Sequence, residues 1–282
     1  MKTLRATDSK STQAARFFSV LGFALLCMLL FSMTRGAYVL DAERMWAVFL
    51  HGIGIEHAAF RAQDLHVLVH LRLPRVLLAA LVGGGLGLAG AALQGLFRNP
   101  LVEPGLIGVS AGSALFAVIL IVFGPLIPLV AVVPIRFLLP LAAFSGGLLV
   151  TFLVYRLGSL GGKTDISLLI LAGVALNALA GALIGLVIYY ADDAALRNFT
   201  FWSLGDVGGA NWDKFQLAFL FMVPALVLII SQYRALNALA IGEQEAFHMG
   251  IDVQRVKGIL LLCSALSSEP QSPSPVPSAS WG

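Results

Sequence analysis

Residues 71–118 read LRLPRVLLAALVGGGLGLAGAALQGLFRNPLVEPGLIGVSAGSALFAV. Two long apolar runs, 76–97 and 106–123, lie on either side of a short polar turn that contains Pro100 and Pro104. A helix that crosses the hydrocarbon core of a bilayer needs about 20 mostly apolar residues. Each run therefore predicts a membrane-spanning helix, and the prolines mark the connection between the two helices.

The rest of the chain repeats this pattern of apolar runs separated by polar turns. Hydrophobic residues make up 59% of the sequence and charged residues only 12%, with a mean hydropathy of +0.90. A soluble domain has about 25% charged residues, so this composition indicates that a bilayer is the solvent. The predicted spans are Phe17–Thr34, Val76–Phe97, Leu106–Phe123, Phe137–Tyr155, Ile166–Tyr190 and Phe215–Ile230.

A seventh apolar run begins near Val256 and ends at Leu266, which is too short to cross a bilayer. The expected fold is therefore an all-α polytopic membrane protein with six complete spans and a partial seventh. Residues 1–16 are expected to be a cytoplasmic N-terminal segment, and 17–266 the transmembrane domain. Residues 267–282, SSEPQSPSPVPSASWG, are Ser/Pro-rich and are expected to form a disordered, non-native tail.

Three patterns resemble chemical motifs but lack the surroundings that the chemistry needs. Residues 85–90 match G-x-G-x-x-G inside an apolar helix, and 157–164 resemble a phosphate-binding loop with leucine at the first glycine position. His66 and His70 are spaced to share a helical face, yet no carboxylate or cysteine completes a metal set nearby, although Asp64 is close. We therefore expect no catalytic residue, no metal site, no cofactor and no enzymatic activity in this chain.

Residues 71–118 resemble the permeases of bacterial ABC importers for iron-siderophores, haem and cobalamin. The motifs that carry the resemblance are R-L-P-R at 72–75, G-A-x-x-Q-x-x-x-x-N-P-L at 90–101 and E-P-G-L-x-G-V-S-x-G at 103–112. A further match, LAIGEQEAFHMGI at 239–251, resembles the cytoplasmic coupling segment of these permeases. The resemblance extends over residues 15–266, and within the family 161–182 and 189–212 look most like the haem permeases.

The resemblance implies a type II importer permease in the bacterial inner membrane. It implies a homodimer that sits on separate ABC ATPase subunits and receives its cargo from a periplasmic substrate-binding protein. Family members have about ten helices, so the chain is expected to be C-terminally truncated. Haem is the expected cargo, and ferric siderophore or cobalamin remain alternatives.

The resemblance also assigns functional residues. Arg72 and Arg75 are expected to dock the binding protein, and the fifth span is expected to lie near the dimer axis. The residues implied in ATPase coupling are Gly242, Glu243, Glu245, Ala246 and Gly250, and those implied in the pathway are Asn177, Tyr189 and Tyr190.

Two other classes of membrane protein remain as alternatives to an ABC importer. An ion-coupled secondary transporter predicts ionisable residues inside the spans, and these spans have almost none. A polytopic membrane enzyme predicts a convergent set of acids, bases or metal ligands, which the sequence does not offer.

Overall fold

The computed structural model describes residues 2–36, 38–52, 54–55, 61–160, 163–205 and 209–267. The chain divides into two units, Met1–Leu77 and Leu78–Gly282. The residues 268–282, which make up most of the expected tail, lie outside the described residues. Ser267 is the last residue of a helix, where its hydroxyl donates to the Cys263 carbonyl 2.8 Å away.

Most of the described residues of the first unit lie in helices. Its small core contains Leu40, Val48 and Leu68. The helix α1 begins well before the predicted span, already at Lys2, and a π-helical segment joins α3 to α4. The elements are α1 (Lys2–Thr34), α2 (Ala42–Gly52), α3 (Ala62–His66), the π-helical segment Val67–Arg72, and the start of α4 (Leu73–Phe97).

The second unit holds the remaining helices. Among its described residues the strands are limited to an antiparallel pair of two residues each, β1 (Ser159–Leu160) and β2 (Lys163–Thr164). Short 3-10 turns occupy Pro104–Ile107 and Gly124–Leu126. The helices are α5 (Val109–Phe123), α6 (Pro128–Val132), α7 (Ile135–Leu157), α8 (Ile166–Tyr189), α9 (Asp193–Leu204), α10 (Trp212–Ser231), α11 (Tyr233–Ile241), α12 (Glu243–His248) and α13 (Val253–Ser267).

Six helical segments are long and apolar enough to cross a membrane, which confirms the predicted all-α polytopic fold. They are Gln13–Thr34, Ala62–Phe97, Val109–Leu126, Phe137–Leu157, Ile166–Tyr189 and Trp212–Ser231. The helix α13 has 15 residues and is about 22 Å long at 1.5 Å per residue, shorter than a hydrocarbon core.

The second span differs most from its predicted bounds, because the helical region begins at Ala62 rather than Val76. The polar residues Asp64 and Arg72 interrupt the hydropathy signal, yet both are buried and hydrogen-bonded within the first unit. Buried polar groups that have hydrogen-bond partners are compatible with a helix. The span predicted from hydropathy therefore began several turns too late, because these charged residues were taken to lie outside it.

Glycines allow close helix contacts in the second unit. A Cβ on Gly112 or on Gly146 would collide with the carbonyl oxygen of the other glycine, so α5 and α7 cross backbone to backbone. A Cβ on Gly173 of α8 would likewise collide with the Leu106 carbonyl. Gly108, which directly precedes α5, has a φ of 85°, a left-handed conformation that favours glycine.

Candidate functional site

The predicted coupling segment, 239–251, folds as a short helix between two glycine turns. Gly242 lies between α11 and α12, and Gly250, two residues after the last residue of α12, has a φ of 78°. The Ile251 amide donates to the Ala246 carbonyl at 3.1 Å, and the Gly250 amide donates to the Phe247 carbonyl at 2.9 Å. These bonds close the helix end as left-handed glycine caps do.

One side of α12 is buried and the other is open. Ala246 has no exposed surface and belongs to the main hydrophobic core, whereas Phe247 is 71% exposed and Met249 is 55% exposed. An open cavity of about 1030 Å³ lies along the exposed side. It is lined by Glu243, Gln244, Phe247, His248, Gly250, Ile251, Asp252, Val253 and Gln254.

Glu243, the first residue of α12, is ion-paired to a buried lysine. The Nζ atom of Lys257 lies 2.8 Å from the Glu243 Oε1 atom, and the lysine side chain is 1% exposed whereas the glutamate side chain is 41% exposed. The same Nζ donates to the Thr164 carbonyl at 2.8 Å. The Thr164 amide in turn donates to the Gln254 Oε1 atom at 2.9 Å. The coupling helix, α13 and the residue before the cap of α8 therefore meet at one ammonium group.

Asn177, a predicted pathway residue, contacts the segment before α5. Its Nδ2 donates to the Gly105 carbonyl at 3.0 Å, while its Oδ1 is buried and accepts no hydrogen bond from the described residues. Tyr189 and Tyr190 lie at the far end of α8, with rings in edge contact and centroids 5.3 Å apart. Both tyrosines are largely exposed. Asn177 and Tyr189 are about 18 Å apart along the helix, so the three residues do not form one cluster.

The two predicted docking arginines have different surroundings. Arg72 is 7% exposed, and its guanidinium donates to the carbonyls of Met33 and Tyr38. A Cβ on Gly36 would lie 2.9 Å from the Arg72 Nη2 atom, so the glycine leaves room for the guanidinium. Arg75 is exposed. Only one of the two side chains is thus presented at the surface.

The histidine pair of the first unit forms a stacked contact. The rings of His66 and His70 lie 5.1 Å apart between centroids, and both residues are exposed. In the described part of the chain, no group of three or more His, Cys, Asp or Glu residues could hold a metal ion.

Sequence reasoning missed Lys257 together with Thr164 and Gln254. The sequence did contain one indication of the site, a single lysine followed by the apolar run 258–263. A charged group beside such a run is costly to bury unless it has a partner, so Lys257 could have been expected to pair with another group. Thr164 gave no signal, since it lies 93 residues from Lys257 in the sequence.

The sequence profile of the FecCD transport family matches residues 24–268. The chain belongs to this family. It is 37% identical over 251 residues to the hemin transport system permease protein HmuU of Yersinia pestis, covering 88% of this chain and 71% of the relative. It is 38% identical over 209 residues to the vitamin B12 import system permease protein BtuC of Vibrio cholerae, covering 74% of this chain and 61% of the relative.

A solved structure agrees with the family assignment. The chain matches an inward-facing conformation of a metal-chelate type ABC transporter with a TM-score of 0.71 and 28% identity, over 90% of this chain and 74% of that one. The predicted resemblance to ABC importer permeases is thereby confirmed, and so is the type II importer fold. The family assignment also removes the ion-coupled secondary transporter as an alternative.

Proposed function

We propose that this FecCD-family chain forms the membrane pathway of an ATP-driven importer that carries haem across the bacterial inner membrane. The observation that supports haem is the 37% identity to a hemin permease across 88% of this chain. The chain spans 71% of that relative, so the activity of the whole assembly is part of the proposal.

The coupling segment supports an ATPase subunit as the first partner. The helix α12 presents Phe247 beside an open cavity, Met249 is exposed just after the helix, and Ala246 packs into the core on the other side. An exposed apolar patch beside charged residues is typical of a protein-protein contact. In this proposal the separate ATPase hydrolyses ATP and moves α12, and the permease performs no hydrolysis itself.

The arginines of the R-L-P-R motif support a periplasmic binding protein as the second partner. Arg75 is exposed, so it is suited to pair with an acidic group on that protein. Arg72 contributes in a different way, because its guanidinium holds the carbonyls of Met33 and Tyr38. Arg72 would stabilise the conformation of the docking surface and would not contact the binding protein itself.

The helix α8 supports a second copy of this chain as the third partner. Within one copy of the chain, only 17% of the most apolar 18-residue stretch of α8 is buried. In a homodimer, α8 of each subunit would face the pathway, with Asn177 near its middle and Tyr189 and Tyr190 at its end. Aromatic and apolar walls suit a planar, largely apolar cargo such as haem.

Cobalamin is the second candidate cargo, favoured by the 38% identity to the vitamin B12 permease over 74% of this chain. The two cargoes are separated by uptake into proteoliposomes that contain the permease, its ATPase and its binding protein. We expect haem to enter at least tenfold faster than cobalamin or a ferric siderophore. Faster cobalamin uptake would reject haem and keep the transport class.

A further inference from the structure

We propose that Lys257 is the positioning residue that connects movement of the coupling helix to the pathway helix α8. This inference rests on the proposed function, because it assigns a transmission route within the same importer. The route runs from Glu243 of α12 through the Lys257 ammonium to the main chain at Thr164.

Thr164, the last residue of β2, forms hydrogen bonds through its carbonyl, its amide and its hydroxyl. Its carbonyl accepts from Lys257 Nζ at 2.8 Å, its amide donates to Gln254 Oε1 at 2.9 Å, and its hydroxyl lies 2.8 Å from Ser159 Oγ. Two side chains of α13 thus hold both backbone groups of one residue. Thr164 is therefore held to α13 by two hydrogen bonds, in addition to its pairing with Ser159 of β1.

Thr164 is followed directly by the N-terminus of α8. Asp165 is the cap of this helix, and its carboxylate accepts from the Ser167 amide at 2.7 Å and from the Leu168 amide at 3.1 Å. A displacement at Thr164 is thereby passed to the first turn of α8 through one peptide bond and a well-formed cap. The helix that receives the displacement carries Asn177, Tyr189 and Tyr190.

The two members of the ion pair between Lys257 and Glu243 differ in their exposure to water. This difference allows an experiment to distinguish a role in transmission from a purely structural role. Lys257 is buried and Glu243 is partly open to water. Removal of the lysine leaves a glutamate that water can solvate, whereas removal of the glutamate leaves a buried charge with one carbonyl partner. A variant at Lys257 that keeps an apolar chain of similar length should therefore fold. Any loss of coupling between ATP hydrolysis and transport in that variant can then be attributed to the missing ammonium group.

The test measures uptake of haem per ATP hydrolysed by the complete reconstituted assembly. Lys257→Met replaces the ammonium by an unbranched apolar chain of similar length. Arg255→Met is the matched control, because Arg255 lies on the same helix with an exposed side chain. Lys257→Arg restores a cation that can bind both partners.

We expect Lys257→Met to keep ATP hydrolysis within about twofold of the wild-type rate and to lower uptake per ATP at least tenfold. Arg255→Met should match the wild type, and Lys257→Arg should recover part of the ratio. A wild-type ratio in a folded Lys257→Met assembly would overturn the inference. Failure of the proposed function looks different, because wild-type haem uptake itself would then not respond to ATP.

A second variant decides the question if Lys257→Met does not assemble. Gln254→Leu leaves the ion pair between Lys257 and Glu243 in place and removes only the bond to the Thr164 amide. We expect a several-fold fall in uptake per ATP hydrolysed. An unchanged ratio in this variant would also overturn the inference.

Discussion

Gly112 of α5 and Gly146 of α7 lie face to face, and a Cβ on either glycine would collide with the carbonyl oxygen of the other. Such close approach is how small residues let helices pack in lipid, where apolar burial alone does not drive association. The contact between Gly112 and Gly146 is of this kind, because neither residue has a side chain to hold the two backbones apart.

The first prediction concerns this crossing. Gly146→Leu should destabilise the protein by about 1–3 kcal/mol or more, because the helices must separate to admit the side chain. Gly22→Ala is the control, since a Cβ at Gly22 of α1 has no described atom within 4 Å. Thermal unfolding in detergent measures both variants, and equal midpoints would contradict the close crossing.

The second prediction separates the two arginines of the R-L-P-R motif. Arg72→Met should lower the free energy of unfolding by about 1–3 kcal/mol, because the Met33 and Tyr38 carbonyls lose their charged donor. Arg75→Met should change stability by less than about 0.5 kcal/mol, as exposed substitutions usually do.

Binding-protein affinity is the complementary measurement for the same pair of variants. Arg75→Met should weaken association several-fold at low salt and by less at high salt, because the lost contact is an exposed charge pair. If instead Arg75→Met binds as tightly as the wild type at low salt, the proposed docking role of Arg75 fails.

The third prediction concerns pH and the phenol of Tyr38, which lies outside the six candidate spans. Its hydroxyl donates to Asp64 Oδ1 at 2.7 Å, and this bond, aided by desolvation, raises the pKa of Tyr38. A raised folded-state pKa means that the stabilisation is present below the ordinary tyrosine value of about 10 and is lost as the pH rises through the folded value.

The Tyr38 titration is measured as the difference in ultraviolet absorbance between wild type and Tyr38→Phe over an alkaline pH series. We expect the phenol that is missing from Tyr38→Phe to titrate above the ordinary range. A titration at or below the ordinary value would show that the bond to Asp64 does not persist in solution.

The fourth prediction tests the exposed side of the coupling helix. Phe247→Ala should weaken association with the ATPase at least tenfold without lowering the thermal stability of the permease, because the ring is 71% exposed. Leu204→Ala is the control, since Leu204 is an apolar residue that is 75% exposed at the end of α9. Co-purification of the ATPase with both variants provides the comparison, and equal yields would count against α12 as the contact.

Hydropathy and local motifs predicted the six spans because each depends on a continuous apolar run. They failed where a contact joins distant parts of the chain. Lys257 meets Thr164 across 93 residues, and Arg72 meets main-chain carbonyls at Met33 and Tyr38, which any residue type could supply. The coupling segment was predicted from its resemblance to the permease family. Its ion pair to the buried Lys257 could not be predicted, because that contact depends on how the helices pack.

The initial rate of haem uptake into proteoliposomes that contain the permease, ATPase and binding protein tests the central claim most directly. The rate is measured with ATP and again with a non-hydrolysable analogue. We expect rapid uptake with ATP and a fall of at least tenfold with the analogue. Equal haem uptake under the two conditions would contradict an ATP-driven importer.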